Sequence, residues 1–202
     1  MRATENVSTT SAARDVADEQ ALIESLFDPA KSAGGGKLLW PRRYAAKGGK
    51  FTPDKRLFAL ATKMGVTGIP RAWQGNASWE RLDGAWYNPA VDAVQMPDAS
   101  RFGEESEFNM VFLHELTHAT QRRVGRDKRN YAEEKLVAEL GANLIARRIG
   151  LHPKALRQSA YYLQVWLTRC GSQSASRAFA EREARRAADY IMEKWHFVNT
   201  AK

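Results

Sequence analysis

The alternation of apolar and polar positions divides the chain into a loose first part and a tightly patterned remainder. Residues 1–16 are rich in Ser, Thr and Ala and carry no period, a composition that predicts a disordered tail. Asp18–Phe27 predicts a short helix, with Ala21, Leu22, Ser25 and Leu26 on one face. A loop follows, running from Asp28-Pro29 to the glycines Gly34-Gly35-Gly36 and Lys37. Thr52 followed by Pro53 reads as cap and first-turn proline of a helix Pro53–Met64, stopped by Gly65. Over residues 66–97 the period changes to two. Ala77–Leu82 and Ala85–Asn88, on either side of Asp83-Gly84, predict a hairpin, and Val91–Met96 predicts a third strand ended by Pro97. Helical spacing then returns at residues 110–123, at Tyr131–Ile149 closed by Gly150, at Pro153–Cys170 closed by Gly171, and at Ser174–Trp195. The expected class is α+β: a small antiparallel (mixed) sheet packed on the 110–123 helix, then a C-terminal helical bundle. The expected division is a tail at 1–16, a basic helical segment at 17–72 and the main domain at 73–198.

Composition narrows the function classes. The single cysteine, Cys170, allows no intrachain disulfide and suits a reducing compartment, so a cytoplasmic location is expected. No run approaches the roughly 20 apolar residues of a membrane span, and the first residues lack an apolar signal core. The formal charge of +8 is unevenly spread. Residues 1–30 sum to −4, residues 31–72 to +9, residues 73–120 to −6 and the rest to +9. A basic segment at 31–72, with Trp40, Tyr44 and Phe51 interleaved, could attract single-stranded DNA. Ordinary solvation of exposed faces is the plainer account of the same charges. The glycines near Lys37 and at Gly48-Gly49-Lys50 do not fit a phosphate-binding loop.

The chemistry concentrates at His114-Glu115-Leu116-Thr117-His118. On a helix, residues four apart share a face, so both imidazoles can reach one metal ion, while Glu115 can address a water on that metal without ligating it. Zinc accepts imidazole nitrogen and keeps an open coordination position in catalytic sites. A third ligand is usual, and the helix from Tyr131 is the donor to expect. Glu139 lies in an apolar run there, where an unpaired carboxylate is costly. Glu134 and Glu133 stand in the first turn, where acids are ordinary dipole partners. Glu139 is the favoured ligand, Glu134 the alternative, and simple pairing of both with arginines the plain reading. Gly141 in the same helix permits close helix approach.

Two histidines spaced in this way, with a Glu about twenty residues later on a following helix, resemble the gluzincin class of metallopeptidases. The chain is more closely similar to the zincin-like metallopeptidase domain of ArdC-type antirestriction proteins, found in plasmid- and phage-encoded polyvalent proteins. The similarity is carried by Ala85–Pro97, Phe102, the motif helix, Tyr131–Gly141, Tyr162–Leu167 and Ala187–Ile191, in the family's order. It implies a zincin-like fold in which the strand before the motif helix, here Val94–Met96, could pair with an extended substrate. It also implies His114, His118 and Glu139 as Zn2+ ligands, Glu115 as general base, and Tyr162 as a possible donor to the developing oxyanion; the plainer reading of Tyr162 is a core aromatic on an amphipathic helix. The sequence departs from the family at Gln121, at Ser159 where relatives often carry His, and in residues 1–72, where the family's single-stranded-DNA-binding domain is not recognisable. His152 could substitute, but in a Gly-Leu-His-Pro loop it reads as a surface residue.

Three functions compete on these grounds. One is a zinc-dependent metallopeptidase, encoded by a mobile element and acting on a host or self protein. The second is a metal-stabilised single-stranded-DNA-binding, antirestriction-type protein with little protease activity. The third is a metal-free interaction protein that has kept the fold.

Overall fold

The computed structural model describes residues 5–32, 48, 50–67, 84–127, 130–151 and 156–200. Along them run α1 (Glu5–Phe27), α2 (Pro29–Ser32), α3 (Lys55–Lys63), β1 (Trp86–Asn88) and β2 (Ala93–Gln95). After a 3-10 turn at Ala99–Arg101 come α4 (Glu105–Arg123), α5 (Tyr131–Arg148), α6 (Leu156–Leu167) and α7 (Gln173–Thr200).

Helix α5 is the hub. Every residue from Lys135 to Ala146 is buried, as expected of a helix with little polar surface of its own. It packs against α4, α6 and α7. Small residues make these approaches close. Ala180, Ala184, Ala187 and Ala188 are buried along one face of α7, and Gly141 of α5 stands against Thr117 of α4. Capping sets the start of α5: Asn130 accepts a hydrogen bond from the Glu133 amide at 2.9 Å. At its end Gly150 takes φ +75°, a left-handed turn that glycine adopts without strain.

One end of the core is aromatic. Phe108 and Phe112 of α4 meet Phe58 of α3 and Phe102, with ring centroids 5.1–6.3 Å apart. Arg123, at the end of α4, gathers three elements. It donates to the carbonyls of Met64 and Ala119 and to both carboxylate oxygens of Asp92. Tyr87 donates to the same Asp92 at 2.7 Å, so the β1–β2 turn is tied directly to the motif helix. At the other side, ion pairs from Asp18, Glu19 and Glu24 to Arg147, Arg148 and Arg177 hold α1 against α5 and α7. The two more exposed pairs, Asp18–Arg147 and Glu24–Arg177, contribute at most about 1 kcal/mol each, so α1 is held mainly by burial of Ile23, Leu26 and Phe27.

Several expectations need correction. Helix α1 begins at Glu5, inside the stretch expected to be disordered. A helix anchored at one end propagates at little cost through Ala- and Ser-rich sequence, which has no apolar period to reveal it. Its buried face holds Ile23 and Phe27 with Leu26, whereas Ala21 is exposed. The cap of α3 is Asp54, whose carboxylate accepts from the Arg56 amide at 2.9 Å, rather than Thr52. The sheet of the described residues has two strands, antiparallel, with Tyr87 opposite Val94. Its turn falls at Pro89–Asp92; the expected first strand 77–82 and Asp83 lie outside the described residues, as do His152 and half of the basic segment 31–72. The edge expected to receive substrate is already engaged at Val94, whose amide donates to the Thr67 carbonyl in a parallel bridge beside β2. No helix among the described residues is long and apolar enough to cross a membrane.

Candidate metal centre

The motif falls on α4 where it packs against α5, and the local sequence explains its placement. Phe108, Val111, Phe112, Leu113 and Leu116 drive α4 into the core, which carries His114 and Glu115 in with them. On α5, Tyr131, Lys135, Glu139 and Asn143 recur every four residues and therefore form one stripe along the helix.

The two imidazoles lie 4.9 Å apart between ring centroids. Each has its Nδ1 against a carboxylate: His114 at 2.9 Å from Glu139, and His118 at 3.1 Å from Glu134. A carboxylate on Nδ1 fixes the tautomer that leaves Nε2 as the metal-binding nitrogen. The carboxylates are themselves held. Ser159 of α6 donates to the other oxygen of Glu139 at 2.7 Å. Arg126, whose side chain is fully buried, donates to Glu134 at 2.6 Å and also reaches Thr120. Burial pushes the Glu134 carboxyl upward, but His118 and Arg126 together hold it below the usual carboxylate range. His118 is pushed down to about 4, first by burial and then by the ammonium of Lys135, so its ring is neutral at physiological pH. That ammonium lies 3.0 Å from His118 Nε2.

Glu115 is 5% exposed, and its Oε2 is buried with no hydrogen-bond partner among the described residues. Burial first, and the Glu115 charge second, push the Tyr131 hydroxyl up to about 12. Tyr162, 2% exposed on α6, stands edge-on to His114 at 6.0 Å between ring centroids and edge-on to Trp166 at 5.8 Å. Trp166 belongs to the buried core.

The donor chemistry fits a divalent first-row metal: two imidazoles, two carboxylates against them and a buried carboxylate oxygen lacking a partner among the described residues. Among the described residues no three His, Cys, Asp or Glu side chains already converge as a ready ligand set. The reason is geometric, since Glu139 and Glu134 engage ring nitrogens and Lys135 lies on His118 Nε2. Loading a metal therefore involves side-chain movement.

Of the residues expected at the site, His114 meets Glu139 and His118 meets Glu134 across the α4–α5 contact, with Glu115 between the two histidines on α4; Lys135, Arg126 and the role of Ser159 were not expected. Lys135 and His118 are 17 positions apart, and no local pattern links them. The four-residue polar stripe on α5 was the one available signal.

With this geometry in hand, the family is clear: the chain belongs to the zincin-like metallopeptidases, whose family model matches residues 74–179, just over half of its length. The fold agrees with the ArdC antirestriction protein of plasmid R388. Its Mn(II)-bound structure matches at a TM-score of 0.53 and 27% identity, over 71% of this chain and 53% of that one. Its metal-free structure matches at 0.51 and 27%, over 75% and 54%. An uncharacterized protein, y4eC, of Sinorhizobium fredii is 30% identical over 115 residues, which are 53% of this chain and 38% of that protein. A DNA primase, TraC, of Escherichia coli is 27% identical over 119 residues, 54% of this chain and 8% of the primase. The chain thus spans well under half the length of these two relatives.

Proposed function

We propose that this protein is a metal-dependent peptidase whose metal, Zn2+, is held by His114, His118 and Glu139. The observation that supports the reading best is the buried Oε2 of Glu115, without a hydrogen-bond partner among the described residues, on the same turns of α4 as the paired imidazoles of His114 and His118. A carboxylate oxygen removed from water without a hydrogen bond costs several kcal/mol, and an attacking water in this position would satisfy it. The metal, when bound, would supply a Lewis acid that polarises the scissile carbonyl and acidifies that water. Glu115 would take the water's proton on Oε2 and pass it to the leaving amine. Glu134 and Arg126 would orient His118, and Ser159 would orient Glu139. Tyr162 is our candidate donor to the developing oxyanion. The substrate would be a protein or peptide met in the cytoplasm, of host or self origin. Family and site support this reading; the antirestriction relatives support a mobile-element setting.

The test is Glu115→Gln, with metal content and cleavage of a protein substrate panel measured side by side. The variant is expected to keep one metal per chain and to lose cleavage by at least about a thousandfold. Equal cleavage by wild type and variant would refute the assignment.

A second reading has its own observation. Residues 31–72 carry a net charge of +9, and the relatives include an antirestriction protein and a DNA primase. On this reading the metal stabilises a single-stranded-DNA-binding protein. Affinity would be salt-dependent and would fall on neutralising Lys37, Arg42, Arg43, Lys47 and Lys50.

A further inference from the structure

Lys135 is an unusual neighbour for a metal site. It is 6% exposed and lies on the same stripe of α5 as Glu139, one turn away. Its ammonium is 3.0 Å from His118 Nε2, and the opposite nitrogen of that ring faces Glu134 at 3.1 Å. With Nδ1 donating to the carboxylate, Nε2 has one in-plane lone pair, which can serve one partner: an N–H donor or a metal ion. The ammonium also lies 5.4 Å from the Tyr131 ring centroid, within the distance at which an aromatic face attracts a cation.

We propose that Lys135 is an internal competitor for the metal: its ammonium holds His118 Nε2 until a divalent ion displaces it, and its charge then sets how tightly that ion is kept. The inference rests on the assignment of His118 as a metal ligand. On loading, the ammonium gives up the ring nitrogen and settles over Tyr131. It remains a positive charge a few ångströms from a dication, and two like charges in a site of low effective dielectric repel strongly. The protein therefore binds its metal more weakly than the same ligands would without Lys135. Loading then follows the local metal concentration instead of being permanent.

The test titrates Zn2+ and Mn2+, each alone, into chelator-treated protein against a competing chromophoric chelator. Wild type, Lys135→Met and Lys135→Arg are compared, with Lys135→Gln replacing the methionine variant should that chain not fold. Removing the charge is expected to tighten binding at least about tenfold, and keeping it in Lys135→Arg is expected to give no gain. Thermal melting adds a second readout, since the rise in Tm on metal addition grows as affinity does. Measurable binding by wild type with unchanged or weaker binding by the neutral variants would overturn the role of Lys135 and leave the metal site standing. Absence of binding in every chain would overturn the metal site and this inference together.

Discussion

Replacing Gly141 with alanine is the most direct probe of how α5 meets the motif helix. A Cβ built on Gly141 would lie 2.6 Å from Cγ2 of Thr117, 3.2 Å from its Oγ1 and 3.5 Å from its Cβ. Carbon atoms make their best contact at about 3.5–4.0 Å, so the methyl demands a displacement of about 1 Å. Thr117 cannot turn away cheaply, because its Oγ1 donates to the Leu113 carbonyl at 2.8 Å and the residue is fully buried. Overpacking of this kind costs about 1–3 kcal/mol, with this contact at the severe end. Alanine recovers about 1 kcal/mol of helix propensity over glycine. The net expectation for Gly141→Ala is a loss of about 1–2 kcal/mol, or a few degrees in Tm for a chain of this size. Thr117→Ser removes Cγ2 and keeps the hydroxyl. In the double variant the 2.6 Å contact is gone and only the tight 3.2 Å contact to the hydroxyl remains, the propensity gain is kept, and a double-mutant cycle should give a favourable coupling of about 1 kcal/mol. The assay is chemical denaturation of all four chains in the presence of chelator, so that metal affinity does not enter. Thr117 sits between His114 and His118, so the single variant should also bind metal more weakly when metal is restored. A Gly141→Ala chain more stable than wild type, or strictly additive effects in the cycle, would refute the reasoning.

Two further outcomes follow from the same site. In chelator-treated protein, His118 is protonated near its ordinary value of 6.5 in the unfolded chain and only near 4 in the fold. The unfolded state therefore binds the extra proton between those values, and stability falls as pH drops from about 6.5 toward 4, by a total of about 3 kcal/mol. The depressed Glu134 carboxyl adds a loss in the same direction at lower pH. Denaturation midpoints across this range check the slope, which His118→Gln should flatten; an unchanged slope would show that His118 is not the titrating group. For the third ligand, metal content is compared in Glu139→Ala and Glu134→Ala. The first should lose the metal, whereas the second should retain it with affinity reduced about 10- to 100-fold, as for loss of an outer carboxylate. The reverse result would exchange the two roles.

Much of the site was legible because its signals are local. His114 and His118 share a helix face by spacing alone, and an acid at Glu139 within an apolar run marks a buried charge needing a partner. The helices of the second half were legible for the same reason, through their 3.6-residue apolar period and their glycine stops. Less was legible where neighbours in space are distant in sequence. Thr67 closed the edge of β2 at Val94 from outside the predicted strands.

The sequence by itself determined the candidate donors, the helices that carry them and the family to which the chain belongs, since each depends on residue type and on spacing within one element. Only the tertiary structure decided how those donors are engaged. It put Glu139 and Ser159 on His114's side, Glu134 and the buried Arg126 on His118's, and the Lys135 ammonium on the nitrogen a metal would use. The physical reason is that helix packing sets these partnerships. Where α5 crosses α4 depends on Gly141 meeting Thr117, and that contact joins residues far apart in the chain.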